Sequence, residues 1–296
     1  MTPLRQRMLD AMVLRGYAPR TQEAYISAVA HLARHYGRSP DTSSAQEVQA
    51  YLLHLLRERA LSRSSVNQCS CALRFFYGTV LGLDAQAFQI PLGAAPHKLP
   101  EILSREELAA LFGACTHDKA RCFLQLAYAS GLRLMELCRL RPEHIDSHAD
   151  RMCIHVHQGK GGKDRYVPIS EPMLALLRQR WRSAAKPRLW LFAATHDPTQ
   201  PLDPSCAQRW YHAARASAGI TKHGGIHTLR HCYATHLLEA GVDQHTLSQW
   251  LGHRYVSTTT RYLHLARPDA PDGARRQPLD LLGALPQRPG PTALAH

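Results

Sequence analysis

Residues 89–100 read QIPLGAAPHKLP, with three prolines and one glycine in twelve positions and no helical or strand periodicity. Proline fixes its own φ and supplies no backbone donor, so such a run neither continues a helix nor sits inside a sheet. It divides the 296-residue chain into two parts that must each bury a core, and 45% hydrophobic with 20% charged residues supplies the material. The expected organisation is a first domain over 1–88, a linker over 89–101, a second domain over 102–267 and a tail over 268–296.

The first part carries helical periodicity throughout. TPLRQRMLDAMVLRG has apolar residues at 4, 8, 12 and 13 and stops at Gly16. APRTQEAYISAVAHLARHYG places Ala24, Tyr25, Ala28, Val29 and Leu32 on one face, with Thr21 as the expected cap and Gly37 as its end. Two further helices fit SSAQEVQAYLLHLLRERA and SRSSVNQCSCALRFFYGTVLG, the latter ending at Gly82, which makes a four-helix domain. Arg15, Arg20, Arg57, Arg59, Arg63 and Arg74, with Thr21, Ser62, Ser64 and Ser65 near helix starts, form a set suited to phosphate contact. A solvated charged face has the same composition.

The second part is mixed. Ser104 and Glu107 in LSREELAALFGAC have the spacing of a capping box that opens a helix. RCFLQLAYASGLRLMELCRLRPEHI is helical and apolar but broken at Gly131, which leaves Arg133 at a bend beside buried surface. MCIHVHQGKGGKDRYVPIS alternates around a glycine-rich turn, predicting a β-hairpin with strands near 152–157 and 164–169. Helices follow near 171–185, 203–218, 227–240, 243–250 and 257–265. From residue 268 the chain is rich in proline, glycine and alanine, with LDLLGAL the one stretch suited to docking on a neighbour. The expected fold class is mainly α, with a small antiparallel sheet in the second domain.

Lys and Arg total 36 against 23 for Asp and Glu, a formal charge of +13 that suits a polyanionic partner; a basic enzyme with an anionic substrate has the same balance. The eight cysteines (69, 71, 115, 122, 138, 153, 206 and 232) contain no CxxC pair, and the start MTPLRQRMLD has no signal-peptide h-region. They read as reduced thiols of a cytoplasmic protein. No apolar run approaches the roughly 18 residues that a membrane span requires, so no membrane partner is expected.

Cleaving a phosphodiester without metal or external energy makes particular demands. Charge on the non-bridging oxygens calls for the bidentate fork of arginine, and two arginines make a clamp. A side-chain hydroxyl that forms a covalent intermediate conserves the bond energy, and a phenol both attacks and leaves well. The departing 5′ oxygen needs a general acid, for which a lysine on a hairpin serves. Arg133, Lys160, His227, Arg230, His253 and Tyr262 make up such a set.

The segments that carry it, ASGLRLMELCRLR (129–141), GKGGKDRYVPI (159–169), IHTLRHCYATHLLEAGVD (226–243), LSQWLGH (247–253) and STTTRYLHL (257–265), resemble in order the signature segments of the tyrosine recombinase, or phage integrase, family. The pattern is most similar to the Xer and integron-integrase branch. The resemblance implies a SAM-like helical core-binding domain followed by a mixed α/β catalytic domain. It also implies site-specific recombination through a 3′-phosphotyrosyl bond at Tyr262, acting on double-stranded DNA as a homo-oligomer, a tetramer on paired sites. Arg133 and Arg230 would clamp the phosphate, Lys160 would be the general acid, His227 would assist proton transfer, His253 would contact the phosphate, and Glu136 would support Arg133. No cofactor, metal or small-molecule substrate is implied. In this family the segment after the tyrosine docks into a neighbour; here residues from 268 would do so, although their prolines depart from a simple docking helix. The absence of an arm-binding extension before residue 1 favours a compact recombinase acting on short core sites, and a tail unlike a simple docking helix favours integration or excision of a mobile element over chromosome-dimer resolution. The rival readings are a type IB topoisomerase and a non-catalytic DNA-binding regulator on the same scaffold.

Plainer readings stand beside these. Arg133 and Glu136 have the spacing of an ordinary i,i+3 ion pair, and Lys160 and Lys163 that of solvated hairpin charges. His227 and His231, at i and i+4, suggest metal spacing and His236 lies near, but a third ligand at sensible spacing is missing and Arg230 would set a positive charge beside the ion. His231 is then a packed helix histidine within reach of the phosphate, and His155 and His157, which alternate on a strand, are surface histidines. Tyr211, Tyr233 and Tyr255 lie outside STTTRY and are set aside as nucleophiles.

Overall fold

The computed structural model describes residues 2–83, 90–94, 99–157, 164–253 and 257–263, and for Ser257, Thr258 and Arg261 the backbone alone. The chain forms two compact units, Met1–Lys98 and Leu99–His296.

In the first unit, α1 (Pro3–Leu14) buries Met8 and Met12, while Val13, expected on the same face, is exposed. Met8 and Met12 are one turn apart and share a line along the helix, whereas Val13 is rotated about 100° from Met12. α2 (Pro19–Tyr36) starts before the expected cap Thr21. Pro19 occupies the first helical position, where a missing N–H leaves nothing unsatisfied, and Ala18 is the residue before it. Ser44 and Glu47 form a capping box at the start of α3 (Ala45–Arg57).

α4 (Arg63–Arg74) runs into a π-helical segment, Phe75–Val80, where the sequence predicts one continuous helix. Its wider turn brings Phe75, Phe76, Tyr77 and Val80 all into the core. Two of the residues expected at phosphate are spoken for: the Ser62 hydroxyl accepts the Ser65 N–H, and the Arg74 Nε donates to the Ile90 carbonyl at 2.7 Å.

In the second unit, the predicted capping box opens α5 (Arg105–Gly113). α6 (Asp118–Ser130) ends at Gly131 in the left-handed conformation, and α7 (Leu134–Cys138) follows after two residues. A three-stranded antiparallel sheet is formed by β1 (Ile145–Asp146), β2 (Cys153–Val156) and β3 (Arg165–Pro168), with Ile154 opposite Ile145 on one side and Val167 on the other. β2 and β3 are the predicted hairpin. β1, only two residues long, is too short to show an alternating pattern in sequence. The chain continues through α8 (Glu171–Ser183), α9 (Pro204–Ser217), α10 (His227–Glu239), α11 (Gln244–Leu251) and α12 (Ser257–Leu263). Residues 264 and 265 of the last expected helix, and the tail from 268, lie outside the described residues.

α6 and α10 form the centre of this unit. Nearly every residue from Ala120 to Ser130 is buried, as is every residue from Thr228 to Leu237 except His231. Helices apolar on all sides belong inside a core. Their close approach depends on Gly131, where φ is +57° and a Cβ atom would lie 2.8 Å from Tyr233 Cε1. Gly131→Ala combines an unfavourable left-handed backbone with ring overlap and is expected to cost about 2–4 kcal/mol in urea unfolding. An unchanged unfolding midpoint would show that the helices do not need this approach.

Candidate active site

Because Gly131 turns the chain out of α6, Arg133 arrives in extended conformation at the head of α7. Its backbone N–H donates to Glu136 Oε2 at 2.8 Å, its Nη1 to Glu136 Oε1 at 3.0 Å, and its Nη2 to the Gly252 carbonyl at 2.9 Å. Arg230, in the first turn of α10 and only 3% exposed, donates Nη2 to the Leu251 carbonyl at 2.7 Å and Nη1 to the Gly131 carbonyl. Arg165, the first residue of β3, donates Nε to the Trp250 carbonyl at 2.8 Å and grips Glu136 with both Nη atoms, at 3.0 and 2.6 Å. Three guanidiniums therefore hang on three consecutive carbonyls, 250 to 252, at the end of α11. A helix end leaves its last carbonyls without helical partners and with partial negative charge, which suits cationic donors. Gly252 permits the arrangement: φ there is +62°, and a Cβ would lie 2.9 Å from Arg165 Cδ.

Glu136 is the carboxylate that these groups contact. Burial acts to raise its pKa, but hydrogen bonds and charge from Arg165 and Arg133 outweigh that and hold it below the usual carboxylate range. Burial, then Arg133, brings Arg230 down to about 10, which still leaves it charged at neutral pH. The cluster thus contains three guanidiniums against one carboxylate among the described residues.

The histidines and the phenol complete the site. His227, at the start of α10, is open to solvent on one side, but crowding by protein atoms, then Arg230 and Arg133, hold its pKa below the usual imidazole value. His253 Nε2 lies 3.2 Å from Arg230 Nη2, and its Nδ1 lies 2.7 Å from Thr259 Oγ1. Arginine only donates, so Nε2 accepts and the ring proton sits on Nδ1, facing the threonine. The ring of Tyr262, on α12, lies nearly parallel to that of His253 at 6.2 Å, and its hydroxyl is 3.1 Å from His231 Nδ1. Tyr262 is only 4% exposed.

Of the six residues singled out in the sequence, Arg133, His227, Arg230, His253 and Tyr262 converge here; Lys160 lies outside the described residues. Glu136 does support Arg133. Sequence reasoning assigned no role to Arg165 or Thr259 and placed His231 as a packed histidine near the phosphate, whereas it faces the Tyr262 hydroxyl. An arginine in a strand facing the core side is a signal in retrospect, but its partners come from α7 and α11. His236 turns away to Tyr128, whose hydroxyl is 2.8 Å from its Nδ1, so the three histidines of α10 do not converge. Tyr211 and Tyr233 are buried in the core, and Tyr255 lies outside the described residues.

The sequence model of the phage integrase family matches residues 101–268, and that of the phage integrase N-terminal SAM-like domain matches residues 4–87. The chain belongs to the phage integrase family. Among its relatives, integrase/recombinase y4qK of Sinorhizobium fredii is 39% identical over 99% of this chain and 92% of that protein. Tyrosine recombinase XerA of Thermococcus kodakarensis is 33% identical, covering 84% of this chain and 86% of the relative. A crystal structure of XerA recombinase aligns with a TM-score of 0.51 at 26% identity, over 88% of this chain and 92% of that one. The fold is also that of a lambda integrase tetramer bound to a Holliday junction, with a TM-score of 0.72 at 18% identity over 93% of this chain and 79% of that one. No helix among the described residues is long and apolar enough to cross a membrane.

Glu136→Gln leaves three arginines without a balancing charge and is expected to cost about 3–5 kcal/mol in urea unfolding. The pH dependence has a definite sign. Because the folded carboxyl titrates below its ordinary value near 4.5, the unfolded chain binds the extra proton, so this contribution is full above about pH 4.5 and fades as pH falls toward the folded value. That component of acid destabilisation should disappear in the glutamine variant; an identical pH profile for the two proteins would show that Glu136 does not carry it.

Proposed function

We propose that this chain is a site-specific tyrosine recombinase that cleaves and rejoins double-stranded DNA through a 3′-phosphotyrosyl intermediate at Tyr262, in the integration or excision of a mobile element. The observation that carries this reading is the pair Arg133 and Arg230. They are held on neighbouring carbonyls with net positive charge left over, beside a shielded phenol. Rigid guanidiniums with unbalanced charge suit a phosphate whose non-bridging oxygens gain negative character.

In the proposed reaction, the Tyr262 oxygen attacks the scissile phosphorus while Arg133 and Arg230 hold the non-bridging oxygens and His253 contacts the phosphate. The phenol proton passes to His231, whose Nδ1 is 3.1 Å away, with His227 assisting from the neighbouring position on the helix. The bond from phosphorus to the 5′ oxygen breaks, and Lys160 donates the proton that makes the departing strand end a hydroxyl. Attack by a 5′ hydroxyl from the other duplex reverses each step, and the tyrosine leaves with its proton restored. The bond energy is retained in the phosphotyrosine, so no nucleotide is consumed.

In this reading residues 1–88 bind the core site, 89–101 link the domains, 102–267 carry the chemistry, and the tail from 268 engages a neighbouring copy in a tetramer on paired sites. A tetramer on a Holliday junction is known for lambda integrase, which has the same fold.

The decisive experiment lyses cells expressing the wild type and Tyr262→Phe in denaturant, then recovers and sequences the DNA attached to each. DNA attached to the wild type alone is expected; adducts on both proteins would displace Tyr262 as nucleophile, and adducts on neither would favour a non-catalytic regulator. On the recovered site, Arg133→Lys should fold normally yet cleave about 10²–10³-fold more slowly, since lysine lacks the bidentate fork. Relaxation of supercoils without exchange between two sites would indicate the topoisomerase reading.

A further inference from the structure

A second polar cluster lies on the β2–β3 hairpin, on the face of the pleat opposite to Arg165. His155 stands opposite Tyr166 in the ladder, and their rings stack at 4.5 Å with an angle of 16°. Two residues on, His157 leaves β2 on the same side of the pleat, with its ring centre 3.7 Å from that of His155. The register that sets Val156 opposite Arg165 brings Asp164 opposite His157. Asp164 Oδ2 is 3.2 Å from His155 Nε2 and 3.5 Å from His157 Nδ1, and one donor atom from each residue lies within 4.8 Å of the other two.

Two of these three spacings match a tetrahedral coordination sphere, and the histidine nitrogens lie within 4.8 Å of each other. Bonds of about 2.0–2.2 Å to a tetrahedral ion put neighbouring ligand atoms about 3.3–3.6 Å apart, near the two separations above. Imidazole binds a metal ion in its neutral form, so two rings whose centres are 3.7 Å apart can converge on one ion beside a carboxylate. Tyr166 holds the His155 ring in place, so part of the ordering precedes binding.

We propose that His155, His157 and Asp164 form a binding site for a divalent transition-metal ion of the zinc class, with water in the fourth position. Two imidazole nitrogens and one carboxylate oxygen select such ions over magnesium or calcium, which prefer oxygen ligands. The site has no part in the cleavage chemistry proposed above. The ion would tie the residue that follows β2 to the one that precedes β3.

The test is titration of the reduced full chain with cobalt(II). One ion per chain is expected, with the visible bands of tetrahedral cobalt and no thiolate-to-cobalt charge-transfer band. Six of the eight cysteines are buried, so thiolate bands would mark binding elsewhere. His157→Ala and Asp164→Asn should each weaken binding by more than the roughly 10–100-fold that an outer-sphere change costs, while His35→Ala in the first unit should leave it unchanged. Both His157 and Asp164 are about half exposed, so these variants should fold, and circular dichroism checks that. Failure to bind, a thiolate band, or full binding by both variants would overturn the site.

Discussion

The end of α11 organises this protein's candidate site. Three successive carbonyls, of Trp250, Leu251 and Gly252, receive Arg165, Arg230 and Arg133. Those arginines come from β3, α10 and the head of α7, so one helix terminus ties the sheet and two helices together. A carbonyl there needs a donor in any case, and a guanidinium has enough donors to satisfy one and still address other groups. The cost of burying Arg230 is offset by two carbonyls, from Leu251 and Gly131.

Charge balance follows from this. Glu136 binds Arg133 and Arg165 at once, and the Arg230 contacts among the described residues are neutral carbonyls and a histidine ring. The residual positive charge is held at a fixed place by rigid backbone. Preorganisation of that kind makes electrostatic stabilisation effective, because the donors need not reorient as charge develops on a bound group. The phenol sits close by under protein cover, with imidazole groups of His231 and His253 against it.

Much of the fold was legible in the sequence because it rests on local signals. The capping box at Ser104, the proline-rich break, the glycine ends at Gly37 and Gly131 and the hairpin pattern each depend on a few neighbouring residues. The misjudged details have equally local causes or none visible. Val13 is one residue off its helix stripe, Pro19 displaces Thr21 as the start of α2, and the π-helical segment at Phe75 answers to core packing rather than propensity. β1 exists because β2 offers an edge, which two residues of sequence do not reveal.

The sequence by itself determined which residue types were available and in what order: two arginines, a lysine, two histidines and a tyrosine in segments that resemble one family. Their assembly was decided by tertiary structure. Arg133 reaches Gly252 across 119 positions and Arg165 reaches Trp250 across 85, and hydrogen bonds are satisfied by neighbours in space, whatever their separation along the chain. That is why the sequence gives no role to Arg165 and does not show that His231 meets the Tyr262 hydroxyl: both depend on α11 and α12 packing against α10. Periodicity shows which face of a helix turns inward; only the packed helices show what that face meets.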